Sequence, residues 1–535
     1  MLRFSGVFLL FLVGVLLSAQ EGAPTHFKNP ILPGFHPDPS IIRVGEDYYL
    51  VNSSFEWYPG LPIYHSKDLV NWKLIGYGVH RPEQVEIPAN TKDSRALYAP
   101  TLRYHEGTYY LINTCVTCGG NFYLTAKDPA GPWSDPIWLD SRGIDPSLFW
   151  EDGKCYYQGH ANISGEPMWP DKNGVWMQEL DLATGKLVGP KKQLTHGHAT
   201  NARWTEGPHL YKINGKYVLT VAEGGTGFQH AVTAFHSDSL WGPYLPYHSN
   251  PLLTHRHLGK DYPIHSTGHA DLVQTQNGEW WAVTLGKRLY QGKTPLARET
   301  FLTPVEIQNE EGYPLPVFNP GHGKLLLEQE RPNLPWSPHP AEPVVDDFTA
   351  QQLALHWNFL RTPYTKWYTL AEGKLNVALR PEMADSLHNP SLIARRIQHH
   401  TFTATVAMRF QPEKTNEAAG LIIYRNSGNH YQLLREGKEM VLYKSLKGNK
   451  QAIARRSYPG GEVVLQAAAR DGRIQFSCGP ASQSLQPLGE AQDLMLISDD
   501  VSLGFNGPYV GMYATSQGQP SQAIASYDWF AYAGE

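Results

Sequence analysis

The chain has 535 residues, 41% of them hydrophobic, and a formal net charge of -5. That length exceeds one ordinary core and calls for at least two domains, while the apolar content suits globular cores and falls short of a multi-span membrane protein. The sequence holds no basic block, so nucleic acid is not expected as a partner.

The chain opens on a pattern of secretory type. Arg3 supplies positive charge, residues 7–17 form an apolar run too short to span a bilayer, and Leu17-Ser18-Ala19 is a small-residue cleavage signature. Residues 1–22 are therefore expected to be a cleavable signal peptide, with the mature chain secreted or periplasmic and free of a membrane span. No Cys follows the cleavage signature, so a lipid anchor is not indicated.

Residues 23–330 are governed by a repeat. Five segments look alike: Asp38-PSIIRVGEDYYLV, Ala99-PTLRYHEGTYYLI, Asp145-PSLFWEDGKCYYQ, Glu206-GPHLYKINGKYVLT and His269-ADLVQTQNGEWWAV. Each is a β-type run, a turn with Gly or acidic residues, and a second run rich in Tyr, Trp and Val, which is the signature of a hairpin. The units recur at roughly the spacing of a four-stranded propeller blade, and no long stretch carries a helical apolar period. A five-bladed β-propeller is expected. In such a fold the first strand of every blade lines the channel, so Asp38, Ala99, Asp145, Glu206 and His269, which open the five units, should ring one mouth.

Between the units lies Cys115-Val-Thr-Cys118. In an oxidising compartment these two would form a disulfide, in the cytosol a redox or metal pair, and otherwise they are small buried residues. Residues 331–343, RPNLPWSPHPAEP, read as a Pro-rich linker. Alternating runs such as Gly420-LIIYRNSGNHYQLLRE and Glu462-VVLQAAARDGRIQFSCG then predict an antiparallel β-sandwich over residues 344–535. The 15 Trp and 29 Tyr can stack on sugar rings, although packing of β-rich cores accounts for most of them.

Three carboxylic acids at one mouth suit acetal cleavage. That reaction needs a proton on the leaving oxygen and either a nucleophile or an activated water at the anomeric carbon. A third carboxylate beside the acid helps keep it protonated, since like charges raise a pKa.

The motifs resemble those of glycoside hydrolase family 43, in its two-domain β-xylosidase/α-L-arabinofuranosidase branch. They are NPILPGFHPDPSIIRVGEDYYLVNSSFEWYPGLPIYHSKDLVNW, RGIDPSLFWEDGKCYY, RWTEGPHLYKINGKYVL, STGHADLV and LARETFL, followed by VVDDF, HWNFLRTP and FNGPYVGMYAT. The resemblance implies hydrolysis with inversion, acting on xylan or arabinoxylan oligosaccharides, and a concanavalin-like jelly roll for the second domain. By motif, Asp38 would be the general base, Glu206 the general acid and Asp145 the residue that tunes and orients the acid. Arg298 in ARETFL would bond sugar hydroxyls, with His269 near the base and Phe55, Trp57 and Phe122 as aromatic walls. In some relatives the channel histidine helps hold a cation, often calcium, so His269 is a candidate ligand, and no other cofactor is expected. Tyr98 stands before the Ala-Pro pair where many relatives carry Trp or Phe, which leaves the subsite shape open.

Two other readings share parts of this pattern. A retaining fructosidase also joins a five-bladed propeller to a sandwich, but it expects W-M-N-D-P-N-G and R-D-P where this chain has F-H-P-D-P-S and I-D-P. A carbohydrate-binding propeller without catalysis would not need the acids.

Overall fold

The computed structural model describes residues 22–163, 169 and 171–535; the expected signal peptide, apart from Gly22, lies outside them. Five antiparallel sheets, four of four strands and one of five, follow one another along the chain, and only in the first is the run of strands interrupted, by Trp57–Tyr58. Blade I comprises Ser40–Val44, Asp47–Val51, Gly60–Ser66 and Lys73–Val79. Blade II comprises Thr101–His105, Thr108–Cys115, Gly120–Ala126 and Ile137–Trp138. Blade III comprises Ile144–Glu151, Lys154–His160, Val175–Asp181 and Lys186–Thr195. Blade IV runs through Glu206–Ile213, Lys216–Glu223, Ala231–Ser237 and Leu245–Pro246, with Leu253–Thr254 also paired to its third strand. Blade V comprises Ile264–Gln274, Trp280–Arg288, Glu299–Glu310 and Tyr313–Phe318.

The five hairpins of the repeat are the two inner strands of each blade. Their turns explain why the chain reverses there. Glu106-Gly107, Asp152-Gly153 and Asn214-Gly215 each place two successive residues at positive φ, the backbone of the tight turn whose twist matches paired strands. First strands of successive blades touch, and the ring closes between Ser40–Val44 and Ile264–Gln274. An N-terminal stretch seals that junction. Asn29 exchanges two 2.9 Å bonds with the backbone of Leu302, and the His36 N–H donates to Arg298 O at 3.0 Å. Aromatic and aliphatic side chains fill the gaps between blades, as Tyr156, Met177, Leu219 and Phe235 do between blades III and IV.

Residues 331–343 carry no strand. Beyond them two large antiparallel sheets enclose the longest apolar core of the molecule, with Phe402, Val406, Leu421, Leu433, Leu465 and Phe476 among its members. The eight-stranded sheet ends in an unexpected way. Its edge strand Asn358–Leu360 pairs with Trp57–Tyr58, a piece of blade I. The propeller thereby covers an open sheet edge of the sandwich. Among the described residues, the sole α-helix is the single turn Asp499–Ser502.

Candidate active site

The channel-lining strands begin with an unusual backbone. Asp38, Asp145 and His269 have φ of 52, 51 and 50°, in the left-handed region that non-glycine residues seldom adopt. This kink turns each side chain into the mouth, ahead of the strand at Asp38 and within it, at an irregularity of the pairing, at Asp145 and His269. Blade IV departs from the expected register by one residue. Its bulge runs from Glu206↔Ala222 to His209↔Thr220, matching Ile144↔His160 to Ser147↔Gln158 in blade III. Gly207, with φ 57°, therefore sits where Asp145 sits, and Glu206 precedes that position. A Cβ at Gly207 would lie 2.9 Å from Cε1 of His269, so no side chain fits there. The carboxyl enters the mouth from the preceding residue instead.

The residues opening all five units line one pocket: Asp38, Ala99, Asp145, Glu206 and His269. The pocket encloses about 420 Å³ of empty space, open mouth included. Asp38 is tightly held, since Arg298 Nη1 donates to its Oδ1 at 2.6 Å and Ser53 Oγ to its Oδ2 at 2.5 Å. The Arg298 guanidinium in turn lies 5.3 Å from the Phe55 ring and 5.4 Å from that of Phe505, and its Nη2 donates to Phe505 O at 3.1 Å.

The other two carboxyls are poorly compensated. Burial, then the charge of Asp38, push Asp145 above the ordinary carboxylate range, against the Gly207 N–H donated at 3.2 Å and the more distant Arg298. Burial, then the charges of Asp145 and Asp38, raise Glu206 well above that range. One mouth thus combines a carboxyl bonded to a guanidinium with two carboxyls that favour a proton. Burial also lowers His269, helped by Arg298 and opposed by Asp38, which keeps its imidazole neutral.

Deeper in the channel the chemistry differs. Asp271 Oδ2 accepts from Ser40 Oγ at 2.7 Å, from Ile41 N at 3.0 Å and from Arg103 Nη1 at 2.9 Å, while Oδ1 accepts from Tyr211 OH at 2.6 Å. Arg103 Nη2 also donates to His209 Nδ1 at 2.8 Å. Burial would lift Asp271, but Arg103 and His209 outweigh it and hold the carboxyl below its usual value. This bears on a cation near His269. Asp271 is engaged on both oxygens, and no group of three His, Cys, Asp or Glu among the described residues is arranged to hold a metal. Among the described residues, side chains alone form no cage at that point.

Two of the expected aromatic walls lie elsewhere. Trp57 is buried under the sandwich, its ring 3.6 Å from that of Tyr509, because its strand is the one shared between domains. Phe122 points into the core around blades I and II and packs on Trp138. Phe55 does line the pocket, with Tyr98, Ile144, Thr226 and Phe505. Phe505 comes from the sandwich, which no repeat within the propeller could indicate. Cys115 and Cys118 are joined as a disulfide outside the pocket, below the Tyr98 loop.

The chain resembles known proteins over nearly its whole length. Residues 27–314 match the model of glycosyl hydrolases family 43, and residues 345–533 match a β-xylosidase C-terminal concanavalin A-like domain. It is 40% identical over 547 residues to a non-reducing end α-L-arabinofuranosidase of Bacteroides ovatus, covering 99% of both chains. It is 41% identical over 518 residues to a xylosidase/arabinosidase of Butyrivibrio fibrisolvens, covering 94% of this chain and 98% of the relative. The crystal structure of a xylan β-1,4-xylosidase from Bacillus halodurans superposes with a TM-score of 0.89 at 37% identity, covering 95% of this chain and 99% of that one.

Proposed function

Because the chain belongs to glycosyl hydrolase family 43, a family of inverting enzymes, we propose that its pocket releases single xylose or arabinofuranose units from hemicellulose oligosaccharides. The observation that carries this reading is the contrast among the three carboxyls. Asp38, bonded to Arg298 and Ser53, is placed to take a proton from water. Glu206 is suited to hold a proton at neutral pH and give it to the leaving oxygen. Burial first, then repulsion from Asp145 and Asp38, keeps the proton on Glu206, and the Gly207 N–H donates to Asp145 beside it.

The reaction is one displacement. Water loses a proton to Asp38 as its oxygen bonds the anomeric carbon, the glycosidic bond breaks, and the departing oxygen takes the proton of Glu206. Arg298 lines the pocket and is placed to bond hydroxyls of the sugar, while Phe55 and Phe505 pack on its guanidinium. The apolar run at residues 7–17 and the Cys115–Cys118 disulfide support action outside the cytoplasm.

The test is proton NMR of the first anomer formed, on a panel of β-xylosides and α-L-arabinofuranosides. Inversion is the expected result, with turnover on at least one of the two sugars. Release with retention, or no release from either sugar, would overturn the reading.

A further inference from the structure

The propeller, the linker and the sandwich meet around a cavity. It encloses about 1030 Å³ of empty space with its open mouth, against about 420 Å³ for the catalytic pocket, and no described residue lines both. Blade I contributes Trp72 and Leu74, the linker His339 and Glu342, and the sandwich Arg395 and Arg396.

The charges of this cavity do not balance. Arg395 and Arg396 are adjacent and both buried. The bonds of Arg396 end on neutral oxygens: Nε donates to Phe35 O at 2.8 Å and Nη1 to Asn358 Oδ1 at 3.1 Å. Arg395 lies over the Tyr532 ring at 4.6 Å, and the carboxylate nearest its guanidinium, that of Glu342, stands 3.8 Å away on a side chain 61% exposed. The same carboxylate lies 3.8 Å from His356 Nδ1. A contact that loose and exposed offsets little charge. Two guanidiniums thus face one carboxylate among the lining residues, and a buried cation without a close counter-charge is costly.

The neighbouring histidines register the excess. Burial, then Arg396, hold His36 well below its ordinary value, and burial, then Arg395, push His356 down to about 3. Both lining imidazoles are therefore neutral at pH 7 and leave the positive charge on the guanidiniums. Arg395 Nε, Arg396 Nη2, His339 Nε2 and His356 Nε2 have no hydrogen-bond partner among the described residues. Buried polar groups are normally paired, so this wall is short of acceptors, which an anion supplies. The opposite wall is of another kind: Trp72 and Leu74 are half-buried and present a flat ring and an aliphatic side chain.

We propose that this cavity between the domains is a binding site for a sugar acid, whose carboxylate faces Arg395 and Arg396 while its ring lies against Trp72 and Leu74. A guanidinium presents its N–H groups in the fork that a carboxylate fits, and an indole suits the apolar face of a sugar ring. A bare inorganic anion would use the first feature and leave the second idle. The site stands apart from the roles given to Asp38 and Glu206. Because its walls come from both domains and the linker, occupancy should stabilise the folded chain.

The experiment titrates the whole protein calorimetrically at low salt and pH 7 with glucuronate, glucose and inorganic phosphate, beside thermal melts in each. Glucuronate should bind and raise the melting temperature, with glucose and phosphate both weaker. Arg395→Ala should weaken glucuronate binding about tenfold and leave kcat/KM on oligosaccharides unchanged. Glu342→Gln, which removes the competing carboxylate at an exposed position, should tighten it roughly twofold and keeps the test alive if Arg395→Ala folds poorly. No binding of glucuronate, or binding unchanged in both variants, would overturn the site. Glucose or phosphate bound as tightly as glucuronate would overturn the sugar acid as its ligand. None of these outcomes touches the catalytic reading.

Discussion

The mouth of the channel and the layer beneath it are built from the same strands, yet they treat carboxylates in opposite ways. At the mouth, Asp145 and Glu206 are buried near one another and near Asp38, with too few donors, and both are pushed toward the protonated form. Two residues beyond Asp38, Gly207 and His269 along the chain stand Ser40, His209 and Asp271. There the Asp271 carboxylate is bonded by Ser40, Arg103 and Tyr211 and held ionised. Burial is shared, so it cannot be the cause of the difference. The number of donors is the cause. A carboxylate supplied with a buried arginine cements the ring of blades, whereas carboxyls left short of partners keep a proton available for chemistry.

Substitutions can separate the two layers. The largest expected effect is at the mouth. Glu206→Ala should lower kcat/KM on oligosaccharides by about 10²- to 10⁴-fold with the melting temperature retained, measured by steady-state kinetics beside thermal melts. Asp271→Ala should do the reverse. It leaves Arg103 buried without its partner and should cost about 3–5 kcal/mol of stability, read as a lower urea midpoint. Trp57→Ala should also act on stability, by about 3 kcal/mol, because its ring is packed between the domains. A rise in KM with the urea midpoint unchanged would put Trp57 back in the sugar site.

The pH dependence sharpens the comparison further. Asp145→Asn removes a repulsion that helps raise Glu206, so the high-pH limb of kcat/KM should move down. Stability carries the same sign. A carboxyl whose folded pKa lies above its unfolded value binds its proton more tightly when folded, so its contribution is full below the unfolded value and is lost as pH rises through the folded one. Glu206→Gln should therefore match wild type in thermal melts near pH 4 and gain on it near pH 8. An equal difference at both pH values would contradict the raised pKa.

The propeller is legible in the sequence because each blade repeats a hairpin whose tight turns are spelled by Glu106-Gly107, Asp152-Gly153 and Asn214-Gly215. The gathering of Asp38, Asp145, Glu206 and His269 follows from that repeat by symmetry alone. The one-residue offset of Glu206 is hidden by opening the fourth unit on its acid. Pairing Gly207-Pro208 with Asp38-Pro39 and Asp145-Pro146 would have exposed it. Trp57 and Phe122 mislead because an aromatic in a β-strand reads the same whether it faces a sugar or a core. Phe505 and the strand shared between Trp57–Tyr58 and Asn358–Leu360 depend on how two domains meet, which no periodicity within either one encodes.

The account turns on Glu206 as proton donor and Asp38 as base, and the leaving-group dependence of the two alanine variants tests that division most directly. Across glycosides of one sugar with leaving groups of falling basicity, Glu206→Ala should recover toward wild-type kcat/KM as the leaving group ceases to need a proton. Asp38→Ala should remain equally impaired throughout, since every member of the series needs activated water. The same flat loss in both variants, or recovery in Asp38→Ala alone, would contradict the assignment.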